Sequence, residues 1–202
     1  MKRIILLSGG LDSATLLALV ANDKNINALF FNYGQKSLPH ELQTVEKLTK
    51  KYDVPLYKRN IVDVFTSSEC TILATSDKFT EQGTTELEFR NGVLLSCAIS
   101  VAKQLFPTED VEILLGVTKQ YVSYSDCSPE FIELYNKLAQ LCSNNKISIR
   151  APFLYKEKKE VFELTKKLSL DPKDTWSCYN NNEKPCLACA ACADRIRLGL
   201  FE

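Results

Sequence analysis

The stretch LLSGGLDSATLL, residues 6–17, puts a glycine-rich turn between a short apolar run and a segment with helical apolar periodicity. Gly9 and Gly10 let the backbone adopt positive φ without strain and come close to a ligand. The backbone N–H groups at the start of the following helix would then face an anion such as a phosphate. The stretch therefore predicts a strand, a phosphate-binding turn and a helix, the opening unit of an α/β fold.

Three polar side chains in this turn fit the same chemistry. Ser8 and Ser13 supply hydroxyl donors for phosphate oxygens. Asp12 would repel a phosphate, so we expect it either to cap the helix or to hold Mg²⁺ against phosphate oxygens. The chain matches neither G-x-x-x-x-G-K-[ST] nor G-x-G-x-x-G, which excludes the two commonest nucleotide-binding loops.

Strand and helix patterns alternate along the rest of the chain. This alternation predicts a doubly wound, mainly parallel sheet with crossover helices on both faces. The predicted strands cover residues 4–7, 26–33, 54–61, 111–117 and 146–152, and the predicted helices cover residues 11–21, 38–52, 91–106 and 156–169, with one more that begins at Ser128.

Two segments carry separate expectations. Residues 64–88 contain nine serines and threonines among 25 positions and lack strong periodicity, so we interpret them as a long surface loop, with a lid as one use. The helix that begins at Ser128 shows helical apolar spacing. Its predicted buried face consists of Phe131, Ile132, Leu134, Tyr135, Leu138 and Leu141.

Composition limits the class of protein. The 202 residues carry 25 basic and 25 acidic side chains, a balance that argues against an extended surface for nucleic acid. The apolar runs are too short for a membrane span or a signal-peptide core. We therefore expect no membrane contact and a cytoplasmic protein whose thiols are reduced.

Four of the eight cysteines crowd the C-terminus with the spacing C-x₇-C-x₂-C-x₂-C: Cys178, Cys186, Cys189 and Cys192. Four thiolates at such spacings suit a closed, tetrahedral structural zinc site. An iron–sulfur cluster is the rival, but the ferredoxin run expects its next cysteine at the position of Ile196. We predict an α/β domain over residues 1–176 and a zinc-binding segment over residues 177–202, packed together as one unit.

Basic and amide side chains at two helix starts are candidate phosphate ligands. Arg90 and Asn91 open the helix after FRNG and can both grip phosphate oxygens, although a surface arginine and a simple N-cap are the alternatives. Lys158 also lies near a helix start, where a cation is unfavourable unless an anion is close. For its neighbour Lys159 we prefer a solvated face.

The string YSDC, residues 124–127, follows the predicted strand 111–117. The carboxylate of Asp126 can accept two parallel hydrogen bonds from a purine-like edge that presents N–H groups in a row. The alternative is that Asp126 and Ser128 compete to cap the next helix. Cys127 is not expected to be a covalent nucleophile, because a small buried thiol is its more ordinary state.

The string SGGLDS resembles the signature of the PP-loop ATP pyrophosphatases, which adenylate a carboxylate or carbonyl oxygen and release pyrophosphate. Together with FRNG, YSDC, TWSCY and the C-x₂-C-x₂-C tail, in that order, it makes the chain similar to the 7-cyano-7-deazaguanine synthase family. The resemblance implies a Rossmann-like fold of the adenine nucleotide alpha hydrolase type. It also implies a ligase that uses ATP, Mg²⁺ and ammonia to convert 7-carboxy-7-deazaguanine, through an adenylate and an amide, into a nitrile for queuosine-type modification of tRNA.

The resemblance also implies site residues, a homodimer and Zn²⁺ bound by the four clustered cysteines. The implied ATP and pyrophosphate site is Ser8, Gly9, Gly10, Leu11, Asp12, Ser13, Arg90 and Asn91. The implied catalytic groups are Asp12, Ser13, Arg90 and Lys158, and the implied deazaguanine ligands are Phe89, Tyr124 and Asp126.

The sequence departs from the family near the implied substrate. The family usually reads Gly-Tyr-Pro-Asp-Cys-Arg where residues 123–128 read SYSDCS, and Arg-His where Lys36 and Ser37 stand. These departures leave open a paralogue that joins the same adenylate to an amine on a protein or nucleic acid, for example in defence. Neutral net charge and the zinc-like spacing disfavour a tRNA-thiolation enzyme, and Asp12 with both loop serines disfavours a nucleotide-binding protein without turnover.

Overall fold

The computed structural model describes residues 1–66, 69–76, 84–119, 124–144 and 146–200. The strands in these residues are β1 (Lys2–Leu6), β2 (Ile26–Asn32), β3 (Leu56–Asn60), β4 (Val111–Leu114) and β5 (Ile147–Arg150). They form one sheet of order β3-β2-β1-β4-β5 in which every neighbouring pair is parallel. This confirms the predicted parallel α/β sheet.

Helices follow each strand along the chain or connect it to the next, and they cover both faces of the sheet. In the described part of the chain they are α1 (Leu11–Val20), α2 (Leu38–Lys51), α3 (Arg90–Leu105), α4 (Pro129–Cys142), α5 (Lys158–Lys167) and α6 (Ala190–Arg197). The predicted boundaries of the first three lie within one or two residues of the observed ones, which is the ordinary uncertainty of helix ends.

The central strand β1 shows why both faces need helices. Successive side chains of a strand point to opposite faces, and Ile4 and Ile5 are both fully buried. Ile4 belongs to the core that includes Leu95 of α3, whereas Ile5 belongs to the core that includes Leu17 of α1 and Leu48 of α2. The short apolar run before the glycine turn is therefore a strand buried between two helical layers.

The connections create a switch point between β1 and β4. From β1 the chain passes through α1 to β2 on one side, and through α3 it later reaches β4 on the other side. Ligands of open α/β sheets bind beyond the carboxyl ends of the strands at such a point. Packing is close there, because a Cβ on Gly116 would lie 3.1 Å from the backbone nitrogen of Ser13.

The predicted buried face of α4 was wrong for three leucines. Leu134, Leu138 and Leu141 are 64%, 43% and 78% exposed, whereas Ile132 and Tyr135 are buried. The sheet covers only a narrow stripe of this helix, and apolar periodicity does not report how wide that stripe is.

The described parts of the segment 64–88 are more than a surface loop. Phe65, Ile72, Leu73 and Leu87 are buried in a small hydrophobic cluster of their own. The Lys36 N–H donates to the carbonyl of Ile72 at 2.8 Å, which ties the segment to the turn after β2. Residues 67–68 and 77–83 lie outside the described residues, so a lid function stays a prediction.

The C-terminal segment packs back onto the chain through a buried arginine. Arg195 of α6 donates to the carbonyl of Pro172 at 2.7 Å and to the hydroxyl of Thr175 at 2.9 Å. These bonds fasten α6 to the residues that precede the cysteines. Among the described residues, no helix combines the length and the apolar character needed to cross a membrane.

Candidate active site

A cavity of about 290 Å³ lies at the carboxyl ends of β1, β2 and β4, with α6 and the residues around Trp176 on its far side. The predicted residues in its wall are Ser8, Gly10, Leu11, Asp12, Ser13, Arg90, Asn91, Tyr124, Asp126 and Lys158. The fold thus brings together predicted residues from four separate stretches of the chain. Gly9 and Phe89 do not line the cavity.

The glycine turn is held by its own serines. The Ser13 hydroxyl donates to the carbonyl of Gly10 at 3.1 Å, and the Ser8 and Ser13 hydroxyl oxygens lie 3.2 Å apart. The Ser8 hydroxyl also accepts from the Gly10 N–H at 3.4 Å. Gly10 is the N-cap residue of α1 and supplies no side-chain cap, so the first N–H groups of α1 stay available to an anion.

The two glycines have different reasons to be glycine. Gly9 has φ +81°, and a Cβ there would lie 3.1 Å from the side chain of Thr44. Gly10 has φ −67°, contrary to the expected positive φ, and a Cβ there would make only ordinary contacts of 3.5 and 3.8 Å with Ser8 and Trp176. The fold requires a glycine at position 9, whereas at position 10 the absence of a side chain opens the cavity.

Asp12 forms a buried ion pair rather than a helix cap. Its Oδ2 contacts the ammonium group of Lys158, and the two side chains are 12% and 16% exposed. Its Oδ1 is buried and has no hydrogen-bond partner among the described residues. Burial raises the pKa of Asp12, while Lys158 opposes this by favouring the carboxylate. A buried carboxylate oxygen that lacks a donor suits a cation.

Arg90 presents a guanidinium to the cavity beside two tyrosines. Its Nη1 donates to the Tyr33 hydroxyl at 3.4 Å. Burial disfavours the charge of Arg90, but Tyr33 and Tyr179 more than offset this and hold the pKa of Arg90 above its usual value. Burial also raises the pKa of Tyr179 to about 12. The guanidinium is therefore a fixed positive charge that faces un-ionised hydroxyls.

Asp126 caps α3. The sequence analysis expected it either to bind a purine-like edge or to cap the helix that begins after Ser128, and neither expectation included this contact. Oδ2 of Asp126 accepts from the backbone N–H of Asn91 at 2.8 Å, and its backbone carbonyl accepts from the Asn91 amide at 3.1 Å. Ser128 caps α4 by itself, because its hydroxyl accepts from the Phe131 N–H at 3.1 Å. Asp126 and Ser128 therefore do not compete, and both carboxylate oxygens of Asp126 already have a donor, since the Cys127 thiol donates to Oδ1 at 3.6 Å.

Phe89 packs away from the cavity. It is 54% exposed, and its ring centre lies 6.1 Å from that of Phe131 in an edge-on arrangement. Its φ of +56° turns the chain into α3. A Cβ on Gly92 would collide with the Phe89 ring at 2.4 Å, so the ring lies across the first turn of α3. The structure does not bring Phe89 to the other predicted substrate residues.

A polar cluster after β2 was absent from the predicted site. Gln35 and Glu41 line the cavity, and Glu41 accepts from the Gln35 amide at 2.9 Å and from the Ser37 hydroxyl at 2.7 Å. Burial raises the pKa of Glu41, although both hydrogen bonds favour its ionised form. Tyr33 and Gln35 follow the carboxyl end of a strand, and this position could have revealed them. Glu41, on α2, carries no such signal.

The four clustered cysteines converge on one point. Their sulfur atoms all lie within 4.8 Å of one another, and those of Cys186 and Cys192 are 3.9 Å apart. Four thiolates about 2.3 Å from a tetrahedral zinc ion lie about 3.8 Å apart, so the arrangement fits a closed zinc site. The Cys186 and Cys189 N–H groups donate to the sulfurs of Cys178 and Cys186 at 3.4 and 3.3 Å, as outer contacts of such a site do.

Comparison with known proteins agrees with the sequence resemblance. Residues 2–200 match the model of the family described as queuosine biosynthesis protein QueC. The 7-cyano-7-deazaguanine synthase of Rickettsia prowazekii (strain Madrid E) is 35% identical, and the match covers 100% of this chain and 94% of that protein. The 7-cyano-7-deazaguanine synthase of Marinomonas sp. (strain MWYL1) is 32% identical, with 96% and 91% covered.

A solved structure shares the fold. The NMN synthetase from Francisella tularensis superimposes with a TM-score of 0.51, and the match covers 100% of this chain and 78% of that chain. The two sequences are only 17% identical, so this likeness concerns the fold alone.

Proposed function

The chain belongs to the QueC family of queuosine biosynthesis proteins, and we propose that it is an ATP-dependent ligase that forms carbon–nitrogen bonds on 7-carboxy-7-deazaguanine. The substrate carboxylate attacks the α-phosphate of ATP, which releases pyrophosphate and leaves an acyl-adenylate. Ammonia displaces AMP to give the amide. The amide oxygen then attacks the α-phosphate of a second ATP, which releases a second pyrophosphate, and loss of AMP and the remaining N–H protons leaves the nitrile, 7-cyano-7-deazaguanine.

One observation carries this proposal. The SGGLDS turn, the guanidinium of Arg90 and the ammonium of Lys158 meet at a single cavity, at the switch point of a parallel sheet. Adenylation builds negative charge on the departing pyrophosphate, and prearranged positive groups and N–H donors stabilise such charge. The wall of the cavity supplies both kinds of donor.

We assign the roles as follows. The first N–H groups of α1, from Leu11 onward, and the hydroxyls of Ser8 and Ser13 bind the pyrophosphate, with Gly9 and Gly10 shaping the turn. Arg90 and Lys158 neutralise phosphate charge, and Asn91 supports Arg90 at the start of α3. The buried, unpartnered oxygen of Asp12 suits Mg²⁺, whose chemistry is to neutralise phosphate oxygens.

Asp126 and Tyr124 are the proposed readers of the deazaguanine base. The Asp126 carboxylate keeps acceptor capacity beyond the Asn91 N–H, because each of its oxygens has two lone pairs. Phe89 would contribute through the packing of α3, since its ring does not reach the cavity wall. Closing the cavity around the base would also protect the adenylate from water.

We propose that the four cysteines bind Zn²⁺ with a structural role. A closed set of four sulfur ligands leaves no position for substrate, so the metal would hold residues 177–202 on the domain formed by residues 1–176. We also expect a homodimer, which light scattering of the purified protein would test.

Two serines support a second candidate function, in which the adenylate reacts with an amine other than ammonia. Where the family usually has basic residues, Ser128 caps α4 and Ser37 donates to Glu41, so neither serine offers positive charge to a substrate. The alternative function keeps the adenylate and uses an amine on a protein or nucleic acid in place of ammonia.

Mass spectrometry of reaction products tests the proposal. The purified protein is incubated with ATP, Mg²⁺, 7-carboxy-7-deazaguanine and ammonium, and an Asp12→Asn variant serves as the matched control. Pyrophosphate release with a nitrile product supports the full reaction. A reaction that stops at the adenylate or amide favours the alternative acceptor. No consumption of ATP or deazaguanine contradicts the assigned substrate.

A further inference from the structure

The backbone of Trp176 contacts the glycine turn at residues 8–13, called the phosphate turn below because the proposed function assigns phosphate binding to it. Its N–H donates to the carbonyl of Gly9 at 2.9 Å. Its own carbonyl lies 3.8 Å from the point that a Cβ on Gly10 would occupy. The backbone at Trp176 therefore lies directly beside both glycines, and Trp176 lines the same cavity as Gly10.

The side chain of Trp176 reaches the cysteine cluster. Its indole Nε1 donates to the carbonyl of Cys178 at 2.9 Å, and the ring packs against the core of that cluster. Cys178 is one of the four convergent sulfur residues. The same residue thus contacts the phosphate turn through its backbone and a metal-site residue through its indole.

His40 of α2 holds the ring from another direction. The imidazole and indole rings stack with centres 3.9 Å apart and planes within 10°. The same helix carries Thr44, which packs against Gly9. The phosphate turn is accordingly enclosed between α2 and Trp176, so a shift of Trp176 would be transmitted to the turn.

We propose that Trp176 is a positioning residue that couples metal binding at the four cysteines to the nucleotide-binding geometry of the turn at residues 8–13. The metal fixes Cys178, the Cys178 carbonyl fixes the indole, and the Trp176 backbone fixes Gly9. The inference rests on the proposed binding of ATP by this turn. Coupling between two binding sites is reciprocal, so bound ATP must tighten metal binding by the factor by which the metal tightens ATP binding.

The test uses the full chain loaded with zinc. ATP affinity is measured by calorimetry before and after zinc removal, and zinc release to a chelator is timed with and without saturating ATP. Trp176 is the sole tryptophan, so its fluorescence reports the link directly. Zinc removal should weaken ATP binding about tenfold and change the emission, and bound ATP should slow the release of zinc.

Variants separate coupling from simple stability. Trp176→Ala should keep its zinc, bind ATP weakly and show no effect of ATP on zinc release. Trp176→Phe keeps the stack on His40 but loses the indole N–H, so we expect intermediate coupling. Tyr155→Ala, which removes an aromatic ring that is 76% exposed and outside the cavity, is the control and should behave as the parent.

Each outcome decides the matter. Equal ATP affinity with and without zinc, or unchanged coupling in Trp176→Ala, would overturn the proposal while leaving ATP binding intact. If the zinc-loaded parent does not bind ATP at all, the proposed function fails instead. If zinc removal unfolds the chain, the zinc-loaded Trp176→Phe variant decides, because ATP affinity and zinc release equal to those of the parent would overturn the coupling.

Discussion

The ammonium group of Lys158 contacts Oδ2 of Asp12, so the first turn of α5 meets the first turn of α1 across 146 positions of sequence. Both side chains are largely buried, and Lys158 favours the ionised form of Asp12 against the effect of burial. A cation at a helix start is ordinarily unfavourable, and this ion pair explains why one is found there.

Replacing Lys158 should reduce the rate of adenylation more than replacing any nearby lysine does. Lys158→Gln removes a positive charge from the cavity, and we expect pyrophosphate release to fall about 100-fold, the scale of losing one prearranged donor. The pKa of Asp12 should rise further, because the group that lowers it is gone. Lys159→Gln changes an exposed neighbour and should leave the rate unchanged. Equal rates for both variants would contradict the assigned role.

Alanine substitutions at the two glycines of the turn should affect different properties, protein stability at Gly9 and ATP affinity at Gly10. Gly9→Ala forces a residue with a Cβ into φ +81° and against Thr44, so it should lower the free energy of unfolding by about 1–2 kcal/mol. Gly10→Ala meets only ordinary contacts, so its urea midpoint should match the parent while its ATP affinity falls about tenfold. If Gly10→Ala bound ATP normally, the glycine would have no role in ligand approach.

Loss of one clustered cysteine should remove the metal. We expect Cys189→Ser to lose its zinc by elemental analysis and its melting temperature to fall by about 10 °C, because several kcal/mol of metal binding would be lost. Cys142→Ser, which changes an exposed cysteine, is the control and should keep both. The purified parent should be colourless. Strong visible absorption with bound iron would instead indicate an iron–sulfur cluster.

Cys127 should make the protein less stable in alkali. Burial raises the pKa of Cys127 to about 12 from an ordinary value of 9.0. Between these values the unfolded thiol ionises while the folded thiol stays protonated, so stability declines as the pH rises above 9. The urea midpoint of the parent should therefore fall relative to that of Cys127→Ala from pH 9 upward. A constant difference would mean that the folded thiol ionises normally.

Asp126→Asn should affect both helix stability and substrate binding. The carboxylate caps α3 through Asn91, and loss of its charge at a helix start should lower the free energy of unfolding by about 1 kcal/mol. If Asp126 also reads the base, KM for the deazaguanine should rise about tenfold or more. Ser128→Ala removes the cap of α4 and should lower stability to a similar extent without changing KM. If Asp126→Asn, like Ser128→Ala, lowered the free energy of unfolding and left KM unchanged, the role of Asp126 would be limited to capping α3.

Patterns local in the chain predicted the fold well. The apolar run from Ile4 to Leu7 predicted a short buried strand, and the helix boundaries near Leu11 and Leu38 were predicted from the apolar periodicity and its turns. The same reasoning was wrong for Leu134 and its neighbours. Helical spacing identifies an apolar stripe, but the width that a sheet covers depends on packing.

The lining of the candidate site could be predicted only in part from the sequence, for the same reason. Ser8 and Asp12 could be predicted because they lie in a recognisable glycine-rich pattern directly after a strand. Glu41 lines the cavity from α2, and no local sequence pattern marks it. The interpretation of Asp126 missed its bond to Asn91, because the two residues belong to different crossover connections.

By itself the sequence determined the parallel α/β architecture, the glycine-rich turn after the first strand and the four-cysteine spacing, because each depends on residues close together in the chain. Only the tertiary structure decided that Asp12 pairs with Lys158 and that Trp176 lies between Gly9 and Cys178. Such pairings depend on how crossover helices and a C-terminal segment pack against one sheet edge, and local periodicity does not encode that packing.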